Sequence, residues 1–174
     1  FSANDRSRWA TVYSLVHGDA DHYHTYKIDQ IIKVPGWNTI DKVSLPDQDD
    51  VPHFYSSKPP LLSNIVAGIY WGLNRAYGYN LIDQHYETIY MILLIVNWVP
   101  YIFCLGLLAV IVERYAQSDL SRILVVVAAA FGTFWSPFLV TRNNHTVAIW
   151  SVICTLDPLL RILKDGERSW WLFA

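Results

Sequence analysis

The amino-acid sequence predicts a mostly α-helical, polytopic transmembrane protein whose first loop is a polar α+β segment. Three observations carry that reading. From Thr88 to Val112 the chain runs for 25 residues without a charge, and from Ile123 to Val140 for another 18. A hydrocarbon core of about 30 Å needs roughly 20 helical residues, so each run is long enough or nearly so to span it. The third is composition: 53% of residues are hydrophobic and 15% aromatic, but mean hydropathy is only +0.22, because a polar arm over residues 1–60 is averaged with very apolar helices.

Within the arm, Trp9, Val12, Tyr13 and Val16 recur at helical spacing, which predicts a short helix over Asp5 to His17 with Gly18 as its stop. Asp5 then sits in the first turn, where an acid gains from the helix dipole. Beyond Gly18 the pattern alternates around Tyr26–Asp29 and again around Thr39–Val43, with Pro35-Gly36 between them. That pattern predicts a small hairpin. Pro46-Asp47-Gln48-Asp49-Asp50 reads as a solvated acidic turn leading to His53-Phe54-Tyr55-Ser56-Ser57-Lys58-Pro59-Pro60, where the arm meets apolar sequence. Residues 61–77 are too short an apolar run to span and read as an interfacial or re-entrant helix. Transmembrane helices are expected over residues 85–112, 121–140 and 144–163, the last interrupted by Asp157-Pro158. Residues 170–174, with Trp170 and Trp171 suited to a membrane interface, read as the start of a further span.

Charge and cysteine content exclude several classes. The net charge of −2 argues against a nucleic-acid partner. Cys104 and Cys154 both fall in apolar runs and are too few for a disulfide framework, so they read as packing residues. Phe1 is not an initiator methionine, and the chain is expected to be a fragment of a longer one. Arginines and lysines in the short loops set orientation. Arg114, Arg122, Arg161, Lys164 and Arg168 flank two loops, whereas only Arg142 lies in the turn between the second and third spans. Residues 113–122 and 161–169 are therefore expected in the cytoplasm, with the arm and Arg142-Asn143-Asn144-His145 on the opposite side.

Asp5-Arg6-Ser7-Arg8-Trp9-Ala10, then Gly18-Asp19, then Ser57-Lys58-Pro59-Pro60-Leu61-Leu62, resembles the first extracytoplasmic loop of the GT-C membrane glycosyltransferases. The branch in question contains protein mannosyltransferase-like and lipid A aminoarabinose transferase-like enzymes. The aspartate, the arginine three residues on, the aromatic after it and the K-P-P-L-L run match the family pattern. Arg6 and Ser57 stand where the family usually has glutamate. The resemblance implies a GT-C-like fold in a bacterial inner or plasma membrane. It also implies an inverting transfer of a sugar from a polyprenyl-phosphate donor to a lipid, glycan or protein acceptor on the extracytoplasmic face.

Under that resemblance the residue types acquire roles. An attacking hydroxyl or amine must lose a proton, for which Asp5 is the candidate general base. The departing lipid phosphate needs a nearby cation, for which Lys58, with Asp5 as its proposed partner, and Arg8 are candidates. His53, Tyr55, Arg142, Asn143 and His145 are possible substrate contacts. Each has a plainer alternative: Asp5 as a capping acid, Lys58 as a side chain reaching from apolar surroundings to water, Arg8 as a partner of Asp5 or a solvated charge, and Asn143 or Asn144 as a helix cap. Asn144-His145-Thr146 also fits a glycosylation acceptor. No cofactor is certain, although a divalent metal is compatible with His17, Asp19, Asp21, His22 and His24, a loosely spaced set. Asn97, Pro100 and Asp157-Pro158 break two spans, as a transporter's midplane site would. A polytopic transporter, and an inactive or scaffolding homologue of the transferases, are therefore the competing functions.

Overall fold

The computed structural model describes residues 2–18, 24–47 and 50–166, and the chain divides into two units, Phe1–Ile92 and Leu93–Ala174. Helix α1 (Ala3–His17) opens the first unit. Ser2 caps it: its hydroxyl accepts the Asp5 N–H at 3.1 Å and donates to the Asp5 carboxylate at 2.8 Å. These two bonds use one of the helix's orphan amides and fix the first turn. Gly18, at φ +73°, ends the helix in a conformation that a side chain would resist. Trp9 and Val12 are fully buried, together with the small polar residues Ser7, Thr11 and Ser14.

The expected pairing of Tyr26–Asp29 with Thr39–Val43 does not form. Strand β1 (Lys42–Pro46) pairs antiparallel with β2 (Pro52–Ser56), and beyond β1 the Asp47 N–H donates to the Val51 carbonyl at 2.9 Å. Tyr26–Asp29 contributes only a bridge from Lys27 to Tyr55. Two forces pull this stretch out of strand geometry. Ile28 and Ile31 are both buried, a spacing of three that suits the single 3₁₀ turn Ile31–Lys33. The Asp29 carboxylate also takes the Phe54 N–H at 3.0 Å, replacing a ladder bond.

Helix α2 (Leu61–Tyr77) follows Pro59-Pro60, whose fixed φ suits a helix start, and ends at Gly78 in the left-handed region. Ser63, Val66, Ala67, Tyr70 and Leu73 form its buried stripe, and α1 packs against it. Leu61, Ile65 and Trp71 on the remaining surface are exposed. A polar clamp joins the two helices: the Tyr70 hydroxyl lies 2.7 Å from His17 Nε2 and accepts the Leu81 N–H at 3.2 Å. The hydroxyl proton is thus free to point at a neutral imidazole. Burial raises the Tyr70 pKa to about 12, and desolvation lowers that of His17, which stacks on Tyr13.

A pH dependence follows from that clamp. Because the folded-state pKa of His17 lies below the usual histidine value of about 6.5, the unfolded chain binds more protons as pH falls. Its contribution to stability is complete above that value and is lost progressively below it. Thermal unfolding between pH 7.5 and 5 is expected to show a falling midpoint, and His17→Gln, which retains an acceptor for Tyr70, should flatten part of that slope. An unchanged slope in the variant would mean that His17 does not titrate on unfolding.

Among the described residues, three helices are long and apolar enough to cross a membrane: His85–Tyr115 with 31 residues, Asp119–Phe138 with 20 and Asn144–Asp165 with 22. The first consists of α3 (His85–Leu93), a π turn at Leu94–Trp98 and α4 (Val99–Tyr115). That turn lies just ahead of Pro100, which has no N–H to offer the carbonyl four residues back. The second consists of α5 (Asp119–Phe131) and a short α6 (Trp135–Phe138). The break between them falls at Gly132, where a Cβ would sit 2.8 Å from the Ala128 carbonyl oxygen. The third is α7 (Asn144–Leu160), with a π turn at Arg161–Asp165 beyond Pro158. Residues 170–174, read from sequence as the start of a further span, lie outside the described residues.

In the second unit, Tyr101, Cys104, Trp135, Leu139 and Ile153 make a small core. Asn97 is buried, 2% exposed, and holds the turn that follows α6. Its amide donates to the carbonyls of Leu139 at 2.9 Å and Thr141 at 3.0 Å, and its oxygen accepts from Thr146 at 3.3 Å. Asp157 accepts from Arg114 at 2.9 Å and lies 2.8 Å from Arg161 Nε, so an acid inside an apolar helix is paired with two arginines. Ile102, Phe103, Phe131, Phe134, Val152 and Leu163 are exposed on these helices. Helices that are apolar on all sides require apolar surroundings.

Candidate functional site

The junction at Lys58 is built from three separate segments of the first unit. The hairpin brings Ser56-Ser57-Lys58 beside Asp41, which immediately precedes β1, and α1 joins through a 2.7 Å bond between the Ser7 and Ser56 hydroxyls. Lys58 Nζ lies 3.1 Å from Asp41 Oδ2, and the Ser57 hydroxyl donates to Asp41 Oδ1. Burial pushes the Asp41 carboxyl up, but the hydrogen bonds from Ser57 and Lys58 and the charges of Lys58 and Arg8 outweigh it. They hold the group below the ordinary carboxylate range. Asp41 is therefore ionised at neutral pH and serves to fix Lys58.

Lys58 also borders a groove of about 250 Å³ lined by Thr11, Tyr26, Val43, Leu45, Tyr55, Ser56 and Pro60. Strand periodicity explains the apolar wall, since Val43 and Leu45 share one face of β1 and Val43 stands opposite Tyr55 on β2. Tyr26 closes one side and donates to Asn64 on α2 at 2.9 Å. One ammonium at the edge of an aromatic and aliphatic groove can take an anion joined to an apolar body.

Asp5 is half-buried in the first turn of α1 and takes part in its cap, so the carboxylate bonded to Lys58 is Asp41 instead. Arg8 is half-buried, and its charge reaches Asp41. Tyr55 lines the groove, whereas His53 turns to Asp29 at 3.0 Å and to Asp47 at 3.8 Å. In the second unit, Asn143 caps α7 by accepting the His145 and Thr146 N–H groups. There His145 stacks on Phe138 with ring centres 4.8 Å apart, and Arg142 is buried. Asp19, Asp21 and His22 lie outside the described residues, while His24 Nδ1 sits 2.6 Å from the Leu15 carbonyl oxygen. No group of three or more metal-ligating side chains occurs among the described residues.

No family model matches the chain, and comparison with curated proteins and with solved structures finds no match either.

Sequence reasoning missed Asp41. It lies 17 positions before Lys58 in an alternating polar stretch that resembles any exposed strand, and only the hairpin brings the two together. The sole available signal was an acid next to a strand that returns to a lysine.

Proposed function

We propose that this protein is an integral membrane glycosyltransferase of the GT-C type, using a polyprenyl-phosphate-linked sugar as donor and working on the extracytoplasmic side. The observation that carries this reading is the ammonium at the junction. Lys58, held by Asp41, borders an apolar groove, and the positive charge of Arg8 acts on the same carboxylate. A lipid phosphodiester carries one negative charge on a long apolar chain. The same ammonium would stabilise the leaving phosphate as its charge grows, because a fixed cation needs no reorganisation at that moment. Three membrane-length helices support an integral membrane location.

Asp5 is the proposed base that removes the acceptor's proton. Its carboxylate accepts one bond from Ser2 and has further lone pairs to offer. Two variants separate catalysis from capping. Asp5→Asn keeps an acceptor for the Ser2 hydroxyl and should abolish transfer with little change in stability. Ser2→Ala removes the cap, should cost about 1 kcal/mol of stability and should leave transfer largely intact. Full activity of Asp5→Asn with a polyprenyl-phosphate sugar would refute the assignment. The transporter reading draws less support, because among the described residues Asn97 is taken up by the turn at 138–141 and Asp157 by two arginines.

A further inference from the structure

A second concavity of about 500 Å³ in the first unit is lined by Ala3, Arg6, Asn38, Thr39, Ile40 and Lys42, and shares no residue with the groove at Lys58. Its two cations are held by one residue: Arg6 Nη1 donates to the Asn38 carbonyl at 3.2 Å, and Lys42 Nζ donates to the Asn38 side-chain oxygen at 2.7 Å. Lys42 also lies over the Phe54 ring, 4.6 Å from its centre. All of these partners are neutral. Elsewhere in the unit Lys27 and Lys58 each face a carboxylate, but no carboxylate among the described residues pairs with Arg6 or Lys42. The Arg6 Nε–H is buried without an acceptor, and Ala3 opens α1, so the positive end of the helix dipole adds to the same field. Ile40, 92% exposed, forms an apolar rim.

We propose that this concavity binds the phosphate or carboxylate of an acidic saccharide, and that the transferase therefore acts on an acidic glycan acceptor. Two cations converging from different elements, with neutral anchors and spare N–H groups, make a site for anionic oxygens. The volume falls within the range of about 300–1,000 Å³ usual for small-molecule pockets. That the ligand is an acceptor rests on the transferase reading above; the anion site itself does not.

The test is calorimetric titration of the full chain in an uncharged detergent at low salt, with glucose 6-phosphate, glucuronate and glucose as probes. Saturable binding of the two acidic sugars and none of glucose is expected, weakening as salt screens the charges. Arg6→Gln and Lys42→Gln should each raise Kd at least tenfold. Ile40→Glu, at a fully exposed position that cannot unfold the unit by lost packing, should do the same through repulsion. Lys33→Gln, which removes one charge elsewhere, should leave Kd unchanged. Equal binding of glucose and glucose 6-phosphate, or a Kd insensitive to Lys42→Gln and Ile40→Glu, would overturn the site. Since these readings need no turnover, binding without sugar transfer would count only against the transferase function, and transfer without acid-selective binding only against the site.

Discussion

Lys58→Ala is expected to reduce sugar transfer from a polyprenyl-phosphate donor by about 10²–10³-fold, the usual loss when one preorganised transition-state donor is removed. Loss of the ion pair itself is expected to cost little stability. The Lys58–Asp41 pair is partly exposed, 26% and 17% for the two side chains, and such pairs contribute at most about 1 kcal/mol. Stability and rate should therefore part company: a small shift in thermal unfolding alongside a large fall in kcat. Asp41→Asn should lose less activity, because Lys58 keeps its charge and Ser57 keeps an acceptor, while the ammonium loses its anchor. Equal turnover of Lys58→Ala and the parent would remove Lys58 from the mechanism. A parallel collapse of stability and activity would make it a structural residue only.

Asn97→Leu is expected to be the most destabilising single change in the apolar helices. The three shortest polar contacts on this one amide are two to carbonyls after α6 and one to the Thr146 hydroxyl in the first turn of α7. Hydrogen bonds between helices in membranes are worth about 0.6 kcal/mol on average and up to roughly 1.7, so the three together amount to about 2–5 kcal/mol. The leucine is close in size and more apolar, so any gain in burial works against this loss and does not add to it. Unfolding of the detergent-solubilised protein should show the decrease, and Asn97→Gln should restore little because its longer side chain displaces the amide. If Asn97→Leu is as stable as the parent, the clamp on residues 138–141 does not hold that turn.

The apolar helices were legible because lipid-crossing length and absence of charge are one-dimensional properties, as the uncharged run from Thr88 to Val112 illustrates. Helix α1 was legible in its body and its Gly18 stop, since both depend on local spacing and backbone conformation. The hairpin was not. Thr39–Val43 and Tyr26–Asp29 both alternate, but burial of Ile28 and Ile31 at a spacing of three and the side-chain bond from Asp29 to Phe54 redirect the pairing to Pro52–Ser56. Tertiary context overrides a weak local preference of this kind at little cost.

By itself, the sequence determined that helices of membrane length follow a polar arm, and that a lysine pinned by two prolines stands at the junction. Both follow from composition and covalent geometry along a short stretch of chain. Only the tertiary structure decided which acid holds that lysine, that Arg6 and Lys42 share Asn38, and that Asn97 is a clamp and not an open polar site. Those outcomes depend on pairs 17, 32 and 42 positions apart, whose meeting is set by how α1, the hairpin and the apolar helices pack. Coulombic and hydrogen-bond energies act over a few ångströms in space, whatever the separation along the chain.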